Sequence, residues 1–165
     1  MSTHRNNKLY LISVNAIIMG LYVVLSFILP FSSGAIQFRL SESLNHLVVF
    51  NRKLMWGVFG GVLVYNLFFG FGILDVLFGG GQTLLALTLT ALLQNIIKNV
   101  KLRMVLNTLF FTASMFLIAL MLNITLDLPF WPTYGTTALS ELIIMTISAP
   151  VMYYINSKLH FAEKV

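Results

Sequence analysis

The sequence contains no cysteine, which excludes disulfide staples, zinc–thiolate sites and cysteine nucleophiles. Charge is almost as scarce. Asp, Glu, Lys and Arg make up 9% of the 165 residues, where a soluble domain carries roughly 25%. So few charges cannot cover a water-facing surface, which rules out a cytosolic enzyme, a secreted domain and a disordered regulator. No G-x-x-x-x-G-K-[ST] run is present, so the chain itself does not bind and hydrolyse ATP. Neither H-E-x-x-H nor G-x-S-x-G occurs. Of the three histidines, His4 and His160 lie in the tails and only His46 lies in an apolar region. A lone His with no Ser or metal partner argues against an intramembrane hydrolase. No metal or cofactor is expected. Gly79-Gly80-Gly81 is not followed by Lys and so is no phosphate loop; it suits close helix packing.

What remains is 58% hydrophobic, with a mean hydropathy of +0.90. Lipid is the main solvent of such a chain, and its length allows about one domain. Apolar runs of the length needed to span a bilayer, about 20 residues, predict an all-α, polytopic bundle of six helices in a single domain, 1–165. The helices are expected at about 9–29, 41–50, 54–69, 75–97, 104–122 and 138–155. The first ends at Pro30 and a Ser-Ser-Gly turn and is too long for a cleavable leader. Residues 123–137, holding Pro129 and Pro132, read as a loop.

The net charge of +5 would suggest nucleic acid on a soluble protein; here it reports orientation instead. With six spans, Arg5, Lys8, Arg52, Lys53, Lys98, Lys101, Arg103, Lys158 and Lys164 share one side, and Arg39 alone is on the other. Basic residues gather on the cytoplasmic side, so both termini are expected there. Without the weakly apolar second segment the charges would scatter to both sides. The acids partition oppositely. Glu42, Asp75, Asp127 and Glu141 fall on the outer half and only Glu163 on the inner.

Polar residues within spans mark candidate function. A carboxylate at the bilayer centre costs about 2.5–3.5 kcal/mol on insertion scales and belongs in a bundle interior or wet cavity. Glu42, Asn45 and His46 are spaced i, i+3, i+4, one face of an α-helix. The plainer reading is that Ser41 caps this helix while Glu42 complements its dipole. Asp75 and Glu141 also fall near outer helix starts, either as dipole partners or as a second and third acid of one outward-open pocket. Gln82 and Asn66 are further candidates for that pocket, and Arg39 suits an acid or a ligand carbonyl. The run Phe130-Trp131-Pro132-Thr133-Tyr134 either covers the pocket or forms an interfacial aromatic belt. Ala16 with Gly20, and Gly57 with Gly61, are small-x-x-x-small pairs that pack within the monomer or dock a second membrane protein.

The run Ile36-Gln37-Phe38-Arg39-Leu40-Ser41-Glu42-Ser43-Leu44-Asn45-His46-Leu47, with Gly72-Ile73-Leu74-Asp75-Val76-Leu77-Phe78-Gly79 downstream, resembles the QueT family. The likeness extends from Leu21-Tyr22-Val23-Val24-Leu25 to the last span. The resemblance implies a substrate-binding (S) component of an energy-coupling factor importer in the bacterial plasma membrane. It implies a queuosine precursor as ligand, a 7-deazaguanine such as 7-aminomethyl-7-deazaguanine, and a coupling protein with two ATPases as partners. On this likeness Ala16 and Gly20 match the docking motif of the first helix, with Gly in place of the usual second Ala. Glu42 would accept the ring N–H and exocyclic amine, Asp75 or Glu141 would hold an ammonium, and Arg39 or Gln82 would meet the carbonyl. The competing readings are a self-sufficient oligomeric secondary transporter or channel, which would need to dimerise or to carry an inverted repeat that the two halves do not display, and a structural membrane protein, which leaves the outer acids without purpose.

Overall fold

The computed structural model describes residues 2–28, 38–70 and 72–161, with backbone alone for 2–6. The turn after Pro30, the motif residues Ile36 and Gln37, the Arg5 side chain, Glu163 and Lys164 lie outside the described residues.

Among the described residues the regular structure is helical. The elements are α1 (Ser2–Ser26), a 3-10 helix (Leu40–His46) that runs into α2 (Leu47–Phe50), a short 3-10 turn (Arg52–Leu54), α3 (Met55–Phe69), α4 (Ile73–Ile96), α5 (Val100–Ser114), α6 (Phe116–Leu126) and α7 (Phe130–Leu159). Among the described residues four stretches are long and apolar enough to cross a bilayer: Asn7–Ser26, Ile73–Ile96, Val100–Leu126 and Phe130–Leu159. The third combines α5 and α6, which meet at Met115. With 15 residues, α3 is about 22 Å long, short of the roughly 30 Å hydrocarbon core.

The loop expected over 123–137 shrinks to 127–129, and α7 begins at Phe130. Pro129 stands at the N-cap and Pro132 in the first turn, where a helix needs no N–H from it. Two prolines therefore start a helix here. Asp127 takes the left-handed conformation that ends α6, φ 53°. The aromatic run is consequently helical: Phe130 stacks on Tyr134 one turn on, and Trp131 is exposed. The basic stretch 98–103 is also partly helical. Asn99 caps α5 by accepting from the Leu102 amide at 3.2 Å, so Lys101 and Arg103 sit in its first turn.

The second segment departs most from expectation. In place of an α-helix spanning 41–50, seven residues wind as a 3-10 helix before one α turn, and every residue from 41 to 50 is buried. Short polar side chains favour the tighter winding, since Ser43 donates back to the Leu40 carbonyl at 2.6 Å and competes with the α-helical ladder. Ser41 is not the cap. The N-cap position is Arg39, with no side-chain cap bond, and Ser41 Oγ instead accepts from Ser26 Oγ at 2.8 Å. Irregular backbone at membrane depth is tolerated only where protein surrounds it, and here α1, α3, α4, α5 and α7 all touch this segment.

The most extensively packed pair among the described residues is α1 with α3. Gly57 and Gly61 are the reason. A Cβ on Gly57 would lie 2.7 Å from the Asn15 carbonyl, and one on Gly61 would lie 2.5 Å from Tyr22 Cβ. Asn15 secures the contact: its Oδ1 accepts from the Gly57 amide at 2.6 Å and its Nδ2 donates to the Lys53 carbonyl at 3.2 Å. The Gly57 amide is a first-turn donor without an intrahelical partner, so α1 supplies a cap for α3. The second small pair faces outward. Ala16 and Gly20 are exposed, with nothing within 4 Å of a Cβ on Gly20.

These contrasting environments predict opposite outcomes. Gly61→Val should lower the unfolding free energy by about 1–3 kcal/mol, the usual cost of overpacking. Gly20→Ala should leave it unchanged or slightly raised, because the helix gains a better former. Thermal unfolding of both variants in the same detergent checks this.

Candidate functional site

The 3-10 winding decides where the motif residues point. At three residues per turn, Glu42 and Asn45 eclipse, and His46 is swung about 120° away. The expected single face of Glu42, Asn45 and His46 therefore splits. Asn45 Nδ2 donates to Glu42 Oε2 at 2.6 Å. His46 turns to the far side, where Nε2 meets the Met145 carbonyl at 3.0 Å and Nδ1 meets Asn107 Nδ2 at 3.2 Å. That pairing makes Nε2 the protonated nitrogen, donating to the carbonyl, while Nδ1 accepts from the amide. Thr90 completes the chain by donating to Asn107 Oδ1 at 2.6 Å.

Glu42 Oε1 takes the hydroxyl of Tyr22 at 2.5 Å. Tyr22 is fully buried on α1, on the face that Gly61 admits. Ser26, one turn on, ties α1 to Ser41. The carboxylate is thus held at both oxygens, by one donor from α1 and one from its own segment.

Around it lies a cavity of about 20 Å³ that joins four of the expected site residues, Arg39, Glu42, Gln82 and Glu141. Tyr22, Thr83 and Gly79 add to its wall, and Val62, Met115 and Ile118 give it an apolar side. Glu141 is 1% exposed, and its Oε1 has no hydrogen-bond partner among the described residues. It is the twelfth residue of α7, three turns inside the helix, so the dipole-partner reading does not apply to it. Arg39 lies with its guanidinium carbon 5.1 Å from the centroid of the Tyr65 ring and in electrostatic range of Glu42, Asp75 and Glu141. Gln82 donates to Ser114 Oγ at 2.9 Å and accepts from Thr83 at 3.1 Å.

Asn45, His46, Asn66 and Asp75 do not line the cavity. Asn66 Nδ2 donates to the Asp75 carbonyl at 3.1 Å, and a side chain at Gly79 would collide with that amide. Gly79 and Gly80 therefore serve the close packing of α4 on α3 expected of them, while Gly81 faces open space. Tyr22 carries the largest role that the residue patterns left unassigned. Its signal was a phenol near the end of the first apolar span, on the face that Gly61 of α3 leaves room for.

Long apolar helices enclosing a buried, polar, doubly acidic cavity define a membrane protein. The chain belongs to the QueT transporter family, which it matches over residues 12–157. It is similar to the queuosine precursor transporter QueT of Lactococcus lactis subsp. cremoris (strain MG1363), at 37% identity over 158 residues that cover 90% of this chain and 93% of that protein. No solved structure matches it. The family is one of transporters, not enzymes.

The His46–Asn107–Thr90 chain should behave as a structural unit. Asn107→Leu leaves His46 Nδ1 without its buried partner, while Thr90 keeps the Ala86 carbonyl, and the expected loss is about 1–3 kcal/mol. Thr90→Val with Asn107→Leu together should cost less than the sum of the two single changes, a non-additivity read from a double-mutant cycle of unfolding free energies.

Proposed function

We propose that this chain is the substrate-binding component of an energy-coupling factor importer, and that its ligand is a 7-deazaguanine queuosine precursor such as 7-aminomethyl-7-deazaguanine. Six membrane segments with both termini in the cytoplasm accord with the distribution of lysine and arginine. In this arrangement α3 and the 40–50 segment count as membrane segments, the latter enclosed by its neighbours. A separate coupling protein and two ATPases supply the energy, consistent with a chain that has no nucleotide-binding motif. The exposed Ala16–Gly20 face of α1 is the docking surface for the coupling protein.

The observation that carries the reading is the cavity's pair of carboxylates, Glu42 and Glu141, beside one guanidinium and one amide. A deazaguanine offers adjacent N–H and NH₂ donors on one edge and a carbonyl on the next. Glu42 keeps lone pairs to accept the two donors, Gln82 or Arg39 meets the carbonyl, and Glu141, the second acid of the cavity, receives the ammonium. At about 20 Å³ the cavity holds roughly one water, so a two-ring ligand must open it. Tyr22 bounds the cavity and already occupies Glu42 Oε1, and the ligand enters by taking over that position.

Glu42→Gln should weaken 7-aminomethyl-7-deazaguanine binding about 10- to 100-fold, the loss of one or two hydrogen bonds to a charged acceptor. Calorimetry on the purified variant measures it, with guanine as the control ligand. Unchanged affinity in the variant, or no binding of the deazaguanine by folded wild-type protein, removes the assignment. Uptake by proteoliposomes that lack the coupling protein and ATPases would contradict the importer reading.

A further inference from the structure

A second concavity, away from the ligand cavity, lies between α5 and α7. It is a groove of about 580 Å³, apolar along most of its length. Its walls run over 101–109 of α5 and 142–153 of α7, or about 12 and 16 Å at helical rise. One leaflet of a bilayer is about 15 Å deep. The groove is therefore as long as one leaflet, and it opens to the side of the bundle through exposed Val105, Leu109, Leu142 and Thr146. Its ends differ. Leu109 and Leu142 close one, while the other carries Lys101, whose ammonium sits 5.8 Å from the Tyr153 ring centroid. That contact also sets α5 and α7 antiparallel, bringing the last turn of α7 with Lys158 to the same end as the start of α5.

We propose that this groove binds an anionic phospholipid, one acyl chain lying between α5 and α7 and the phosphate at Lys101. Length matches an acyl chain in one leaflet, the apolar walls match its methylenes, and the cation stands where a headgroup would be. Tyr153 holds the lysine ammonium at the mouth of the groove, with a ring of the kind that favours a membrane interface. In the orientation proposed above this end faces the cytoplasm, where basic sites between transmembrane helices recognise anionic headgroups. The proposal is independent of the transported ligand, because no residue of the groove lines the cavity around Glu42.

The test uses the purified full chain in mixed micelles with equal amounts of phosphatidylglycerol and phosphatidylcholine, and native mass spectrometry counts the lipids retained. Retention of phosphatidylglycerol over phosphatidylcholine should be about fivefold, the effect of one lysine near an anionic surface. Lys101→Gln should bring that ratio close to one. Thr146→Leu, which fills the groove from its exposed side, should lower retention of both lipids and leave the charge preference of the remainder intact. Equal retention of the two lipids by the wild type overturns the proposal, as does a preference that survives Lys101→Gln. Should Thr146→Leu fail to fold, the exposed Lys101 variant decides the matter alone.

Discussion

A carboxylate inside a lipid-solvated protein is expensive unless its oxygens are occupied, and Glu42 is occupied by Tyr22 on one side and Asn45 on the other. Much of the architecture serves that arrangement. Asn45 reaches Glu42 because the segment winds three residues to the turn. Tyr22 reaches it because Gly61 lets α1 lie against α3 and Asn15 fastens the two helices. The irregular backbone that results is tolerated because five helices enclose it and because His46, Asn107 and Thr90 tie its far side to α4, α5 and α7.

The same arrangement separates what is rigid from what can yield. His46 and Asn45 belong to a bonded interior that would be costly to break. Tyr22 belongs to α1, which has the smallest buried share of the four long apolar stretches, 17%. Its outward face carries Ala16 and Gly20 with open space around them. One helix thus bears both the group that fills the cavity and the surface proposed for docking. A ligand that displaces the Tyr22 hydroxyl acts on the element a partner would touch, a physical route by which occupancy and docking can be linked.

The parts of this protein that follow from solvent and length were legible in the residues alone. Apolar run length marked the four stretches long enough to span, and scarcity of charge marked lipid as solvent. Four of the polar residues singled out as site candidates, Arg39, Glu42, Gln82 and Glu141, do meet at one cavity. What escaped depended on winding and on partners distant in sequence. A seven-residue polar run has no periodicity long enough to tell a 3-10 helix from an α-helix, and the difference of one residue per two turns or so sent His46 to the opposite side from Glu42. Pro129 and Pro132 read as loop because proline's position relative to a helix start depends on where the helix begins. Tyr22 went unassigned because its partner is twenty residues away and its neighbours are apolar. Gly57 and Gly61 had two open readings, and the side chains of Asn15 and Tyr22 on α1 settle them as internal packing.

The central claim is that the phenol of Tyr22 and the ligand compete for Glu42. Calorimetric titration of wild type and Tyr22→Phe with 7-aminomethyl-7-deazaguanine under identical conditions tests it most directly. With the competing hydroxyl gone, the variant is predicted to bind about tenfold more tightly, the reverse of losing one hydrogen bond to a charged group. Weaker binding by Tyr22→Phe, in protein that unfolds with the same cooperativity as the wild type, would mean that the phenol holds the ligand rather than its place, and would contradict the account.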